Sequence, residues 1–183
     1  GCSRGAALQP FVDRFGDANY YIELSASAPL IAAARDRFKH LIDAKLVAIR
    51  QHDLRDGLPP LFPSLTLAVL TLQFTPIEHR QRIVAEVYEK TRPGGAFLVV
   101  EKILGSDSVA DKLLVETYYA GKQANGYSPD QSNAKRKSLE GILGPLTAGG
   151  NESLLRAEGF RVEQFWQALN FAGWIAVKPK ERA

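Results

Sequence analysis

The sequence predicts an α/β fold: a doubly wound, mostly parallel sheet with an antiparallel strand pair at its C-terminal end. Three observations carry the prediction. Short apolar runs alternate along the chain with segments whose apolar residues recur at helical spacing. Two of those runs, residues 65–74 and 96–101, are almost continuously apolar, as strands covered on both faces by helices are. A glycine-bearing turn, Gly1-Cys2-Ser3-Arg4-Gly5, leads straight into a helix-forming segment. Glycine tolerates positive φ and leaves its N–H open, so such a turn at a helix N-terminus can cradle a polar or anionic group.

Residues 6–15 read as a helix closed by Gly16-Asp17, and residues 19–25 as a strand of β-favouring residues. A second helix is expected over 31–44, where Ile31, Ala34, Phe38, Leu41 and Ile42 fall at core spacing. Residues 46–51 form a short strand running into His52-Asp53-Leu54, and the three prolines within 58–63 forbid regular pairing there. The strand over 65–74 is expected to be central. A helix over 78–91 ends at Arg92-Pro93-Gly94-Gly95, before the strand 96–101. The alternation then changes. Helices over 109–122 and 131–143, joined by the turn-rich Ala124-Asn125-Gly126-Tyr127-Ser128-Pro129, read as a helical insertion of about residues 106–150 that covers the open edge of the sheet. Residues 152–158 form a last helix capped by Gly159, and the apolar runs flanking Ala168-Leu169-Asn170 form the antiparallel pair. No repeat or long linker divides the chain, so residues 1–183 are expected to be one domain. A doubly wound fold places its central strand before the ligand turn, so a strand preceding Gly1 is expected and the chain reads as N-terminally truncated.

The 183 residues, 45% hydrophobic and 23% charged, suffice for one core and have ordinary soluble composition. No apolar run approaches a bilayer span and no charged-then-apolar leader opens the chain, which points to the cytoplasm and away from a membrane. The single cysteine, Cys2, excludes an internal disulfide; with no histidine near it in sequence, it reads as a packing residue rather than a nucleophile. A net charge of +3 from scattered lysines and arginines is too mild to argue for a nucleic-acid surface. His40 and His79 are expected on exposed helix ends and His52 beside the ligand. No His, Cys or carboxylate pair has ligand spacing, so no metal is expected.

Two carboxylates give the opening turn a chemical partner. Glu23 lies about 20 residues on, near the end of the next apolar run, where nucleotide-binding α/β units place a ribose ligand; a solvated strand-end charge is its structural alternative. Asp53 ends the following strand, where a carboxylate can accept from an adenine amino group while the next N–H reads a ring nitrogen; its alternative is a turn cap. Gly1-x-x-x-Gly5 is not the Gly-x-Gly-x-x-Gly dinucleotide fingerprint, and no Gly-Lys-Ser/Thr phosphate loop occurs, so both phosphate-binding classes weaken. The terminal antiparallel pair favours an S-adenosylmethionine (SAM) fold.

On these residues the whole chain resembles the class I, Rossmann-like SAM-dependent methyltransferases, and more narrowly the carboxy-SAM synthases of tRNA wobble-uridine modification. The stretches that carry the resemblance are Gly1-Cys2-Ser3 with Gly5-Ala6-Ala7, Thr71-Leu72-Gln73-Phe74, Pro93-Gly94-Gly95-Ala96 and Glu101-Lys102. More specific are Ala124-Asn125-Gly126-Tyr127-Ser128 and Lys135-Arg136 with Leu139-Glu140. Others are Ala157-Glu158-Gly159-Phe160, Phe165-Trp166-Gln167 and Asn170-Phe171. The resemblance implies that Gly1, Cys2 and Ser3 contact the methionine part of SAM, that Asp53 with the Leu54 backbone holds the adenine, and that Ser25 stands at the family's acidic ribose position. It implies that Arg136 grips the extra carboxylate of carboxy-SAM as a guanidinium–carboxylate pair, with Tyr127 as a pocket wall. The reaction it implies takes the carboxyl group of prephenate onto the SAM methyl carbon through an ylide, where a fixed cation stabilises developing charge. A homodimer is implied as well. The family's asparagine at the end of the next strand falls on Val69.

Two other readings fit the same residues. One is an ordinary SAM-dependent methyltransferase acting on a small molecule or tRNA. The other is a non-catalytic homologue, a scaffold left without cofactor by the missing first strand and by Ser25 and Val69 at the family's contact positions; for Arg136 itself the alternative is that Lys135-Arg136-Lys137 is a solvated basic helix face.

Overall fold

A computed structural model describes residues 4–139 and 141–180. The chain divides into two compact units, Gly1–Pro59 and Pro60–Ala183, each with its own sheet.

In the first unit, helix α1 (Gln9–Phe15) precedes strand β1 (Tyr21–Ser25). Helices α2 (Ala28–Arg37) and α3 (Lys39–Asp43) lead to β2 (Val47–Gln51), which pairs with β1 in parallel from Tyr21 opposite Val47 to Ser25 opposite Gln51. Strand β1 buries alternate residues, and Tyr21 packs with Val12, Ile31, Ala34, Phe38, Val47 and Ile49 into one core. The single helix expected over 31–44 is two. Its first part starts earlier, because Pro29 is at home in a first helical turn. It breaks at Phe38, whose backbone leaves the helical region at φ −102° and ψ 18°, while its ring is fully buried. Gly5 explains the break. At φ +76° it passes so close under that ring that a Cβ there would lie 2.2 Å from Phe38 Cε2. Burial of a Phe side chain is worth about 1.5–3 kcal/mol, enough to outweigh the helical continuity lost at one residue.

In the second unit, β3 (Leu65–Val69) pairs in parallel with β4 (Ala96–Leu104), and α4 (Ile77–Lys90) connects them. Helices α5 (Ser108–Ala124) and α6 (Pro129–Lys137), the two-residue strand β5 (Leu146–Thr147) and helix α7 (Ala148–Arg156) follow. The antiparallel pair β6 (Arg161–Ala168) and β7 (Phe171–Val177) completes it. The order is β3-β4-β7-β6, with β5 on the end of β4. The expected antiparallel pair is present; its turn puts Leu169 at φ 49°. Among the described residues β3 pairs with β4, and β4 is flanked by β3 and β7.

One face of β4 buries Phe97, Val99, Glu101 and Ile103. Trp174 and Ala172 lie directly opposite Val99 and Glu101 on β7, and both are fully buried. Phe160 joins this layer to α4 through an edge-to-face contact with Tyr88 at 4.8 Å. The Lys178 ammonium donates to the carbonyls of Tyr88 and Glu89 at 2.8 and 3.1 Å, placing a cation at the C-terminal end of α4, where unpaired carbonyls gather. Within β6 the pairing slips between Gln164 and Trp166, leaving Phe165 as a bulge. Opposite it, Gly173 has no side chain because a Cβ would lie 2.8 Å from the Phe165 ring.

Among the described residues none on α5 is fully buried. The helix is mounted at the carboxyl end of β4, where Gly105 N–H donates to Asp111 at 2.8 Å and the Tyr118 ring meets Phe171 of β7 at 5.4 Å. Helix α6 starts at Pro129 behind a capping box between Ser128 and Gln131, and it stops at Lys137 rather than running to 143.

Candidate functional site

In open α/β sheets ligands bind outside the carboxyl ends of the strands. In the first unit those ends are Ser25 on β1 and Gln51 on β2, tied together where His52 N–H donates to the Ser25 carbonyl at 2.8 Å. A polar cavity of about 320 Å³ opens there, lined by Ala26, Gln51, His52, Asp53 and Asp56. A larger hollow of about 620 Å³ runs along the flank of α2, α3 and β2, lined by Arg35, Ile42 and Ala48 among others. It lies away from the strand ends, so the smaller cavity is the candidate site.

Asp53 is a cap and an ion-pair partner. Its carboxylate accepts the Arg55 N–H at 2.9 Å at the start of the turn Leu54–Asp56, and the Arg55 guanidinium grips both its oxygens, at 2.7 Å from Nη2 and 3.1 Å from Nε. Hydrogen bonding to the Arg55 side chain, then to its backbone, holds the Asp53 carboxyl at about 2, below the usual carboxylate value. A carboxylate has about four lone-pair directions, so it can still accept a further N–H. Leu54 lies in the turn, half-buried, and its carbonyl accepts the Gly57 N–H. The His52 ring nitrogen Nε2 faces the Gly57 carbonyl. A carbonyl cannot donate, so Nε2 carries the proton.

The depressed carboxyl gives a direct test. Replacing Arg55 with alanine should raise the Asp53 pKa from about 2 toward the ordinary value of 3.8, read from the carboxyl carbon in an NMR titration. A carboxyl held low in the folded chain supports folding above the ordinary value, and that support is lost as pH falls toward 2. An Asp53 resonance that titrates unchanged in Arg55→Ala would refute the pairing.

Glu23 and Ser25 share the buried face of β1, Glu23 at 7% exposure within the strand and Ser25 at its last position. The Ser25 hydroxyl accepts the Ser27 N–H at 3.3 Å. Gly5 is buried beneath Phe38 as described, while Gly1, Cys2 and Ser3 lie outside the described residues. Of the histidines, His40 is exposed and His79 only partly so.

In the second unit, Arg136 is exposed on α6, and among the described residues its guanidinium has no hydrogen bond or ion pair. Tyr127 precedes that helix, half-exposed, with the Lys122 ammonium 4.8 Å from its ring.

The feature that sequence reasoning missed is Glu101. Its buried carboxylate accepts the N–H groups of Thr71, Leu72 and Gln73 at 3.0, 2.8 and 3.1 Å. The expected strand over 65–74 therefore stops at Val69. Leu70 turns to φ 52°, and the next three amides leave the ladder for the carboxylate. Gln73 in turn accepts the Lys102 N–H at 2.9 Å through its side chain, and its carbonyl accepts the Gly144 N–H at 2.9 Å. Buried Arg80 donates to the Thr75 carbonyl at 2.8 Å. Burial pushes the Glu101 carboxyl up, against the pull of the three amides and of Arg80. The available signal was an acid that follows five apolar residues within a strand.

No family model matches the chain. Among solved structures, an O-methyltransferase family protein from Burkholderia thailandensis superposes at a TM-score of 0.71, covering 99% of this chain and 50% of its own at 14% identity. A putative sarcosine dimethylglycine methyltransferase from Galdieria sulphuraria does so at 0.67, over 98% and 76%, at 10% identity. The fold is that of the class I SAM-dependent methyltransferases. The carboxy-S-adenosyl-L-methionine synthase of Methylococcus capsulatus is 32% identical over 180 residues, 97% of this chain and 74% of its own length. That of Wolinella succinogenes is 35% identical over the same shares. The chain belongs to the carboxy-S-adenosyl-L-methionine synthase family.

Proposed function

We propose that the chain binds SAM and, with prephenate, forms carboxy-SAM and phenylpyruvate, supplying a tRNA wobble-uridine modification enzyme. The observation that carries this is the 32–35% identity to carboxy-SAM synthases over 97% of the chain. The donor chemistry at the ends of β1 and β2 suits an adenosyl group: a cavity lined by an acceptor carboxylate, an amide and an imidazole. On this reading Asp53 and the Leu54 backbone take the adenine, Glu23 or Ser25 the ribose, and the turn from Gly1, Cys2 and Ser3 to Gly5 the methionine part. SAM supplies an activated methyl group. Prephenate gives up its ring carboxyl group to that methyl carbon; its ring hydroxyl leaves with the displaced methyl proton as water, and the aromatised ring departs as phenylpyruvate. Arg136 pairs with the transferred carboxylate, and Tyr127 walls the pocket.

Incubating the full chain with SAM and prephenate should yield phenylpyruvate together with a SAM species heavier by one carboxyl group, detected by mass spectrometry. No such mass rejects the reading. A second reading has its own observation: β3 ends on Val69, whose side chain offers no polar contact where the resembled family has asparagine. An enzyme that transfers the methyl group itself would turn over without prephenate and ignore Arg136→Ala.

A further inference from the structure

Beside the end of β4, the second unit gathers two ammonium groups that no described side chain pairs with directly. Lys102, half-buried, stands directly across the sheet from Phe171. The Phe171 ring meets Tyr118 of α5, and Tyr118 meets Tyr119, both at 5.4 Å between centroids. One turn further along α5, the half-buried Lys122 holds its ammonium 5.6 Å from the Tyr118 ring and 4.8 Å from that of Tyr127. Among the described residues neither ammonium has a hydrogen bond or a salt bridge. Asp111 is the acid that Lys102 feels, and Lys122 the opposing cation. The Asp111 carboxylate already accepts the Gly105 N–H at 2.8 Å. Burial pushes the Lys102 ammonium down, and Lys122 adds to this while Asp111 opposes it. Two cations against one engaged carboxylate, walled by flat rings, form a costly arrangement unless an anion completes it.

The geometry points to a second carboxylate subsite, in which Lys102 and Lys122 hold the 2-oxo-carboxylate arm of the carboxyl donor while Tyr118 and Phe171 flank its ring. The inference rests on the reading that the donor is prephenate, and deepens it. Prephenate carries two carboxylates on one ring system. Arg136 takes the one that is transferred, and the lysine pair takes the one that stays with the product. Ammonium groups suit this role because they are point charges that can follow a flexible side arm, whereas the guanidinium fork suits a carboxylate held in one plane.

The test separates the subsite from the reaction. In the carboxylation assay, Lys102→Gln and Lys122→Gln should each raise KM for prephenate about 10- to 100-fold, the cost of losing a charge-assisted contact. KM for SAM should stay within about twofold of the wild type, since neither lysine is among the residues that the proposed function assigns to SAM. The Lys→Arg variants should recover part of the loss, because the charge is kept. An unchanged KM for prephenate, or equal rises for both substrates, overturns the subsite. If the wild type forms no carboxy-SAM, the reaction falls, and the subsite is still decided with phenylpyruvate as the probe. Titrated into the wild-type chain, it should shift the side-chain nitrogen resonances of Lys102 and Lys122 in an NMR spectrum. Absence of that shift overturns the inference, whether or not the glutamine variants fold.

Discussion

Arg136→Ala should abolish measurable carboxy-SAM formation, with a fall on the order of 100- to 1,000-fold, while SAM still binds. The expected size comes from removing one fixed charged donor at a site of developing charge. The geometric premise is specific. Arg136 is exposed on a helix whose start is fixed by the Ser128–Gln131 capping box, and no described acid occupies its guanidinium. A basic side chain there is an investment the fold itself does not use. Arg136→Lys keeps the charge but loses the two-pronged donor geometry, so it should fall between the wild type and alanine. Carboxy-SAM yield by mass spectrometry, beside SAM affinity by calorimetry, checks both. A variant that retains full carboxylation would remove Arg136 from the reaction; one that loses SAM affinity in step with activity would assign it to SAM binding instead.

The second large effect concerns the buried acid on β4. Glu101→Ala leaves the amides of Thr71, Leu72 and Gln73 without their acceptor in a buried setting, which should cost about 3–5 kcal/mol and lower the melting temperature on the order of 10 °C. Glu101→Gln is the finer probe. Its single oxygen can serve Thr71 and Leu72, but its amide nitrogen would then face the Gln73 N–H, donor against donor, at about 1–3 kcal/mol. The acid also sets a pH dependence. Burial raises its carboxyl above the ordinary range, so the folded chain holds that proton more tightly than the unfolded one. The associated stability is present below the ordinary carboxylate pKa and lost as pH rises through the raised value. Thermal melts across that range should show this decline in the wild type and lack its Glu101 share in Glu101→Gln. Equal pH slopes in the two proteins would exclude the assignment.

Much of the fold was legible because periodicity reports which faces are apolar. Strand β1, helix α4 and the β6–β7 pair stand where alternation and helical spacing put them. What sequence spacing could not show was competition from far along the chain. Apolarity alone carries the strand from Leu65 on to Phe74; the carboxylate of residue 101 ends it at Val69. The run 31–44 has one continuous helical face, yet it breaks at Phe38, whose ring fills the space against Gly5. Both ends of α6 were misplaced: the reading from 131 to 143 passed over the cap written in Ser128-Pro129-x-Gln131, behind which the helix starts at Pro129, and the helix stops at Lys137. In the candidate site, Asp53 was legible as a strand-end carboxylate, but its grip by Arg55 was not, because two alternatives, cap and ligand, share one sequence signature. The juxtaposition of Lys102 and Lys122 lay beyond reach for another reason: the two charges are twenty positions apart in the sequence, and only the packing of α5 against β7 brings them together.

The bulge at Phe165 carries one more implication. β6 ends the row of strands in its sheet, and an unbroken outer strand offers a regular ladder of donors and acceptors on which a stray peptide can polymerise. Here the ladder skips a rung where Phe165 folds over the bare Cα of Gly173. The same glycine that lets an aromatic ring settle onto the sheet thereby roughens its margin, and guards the protein against growing into fibres from that side.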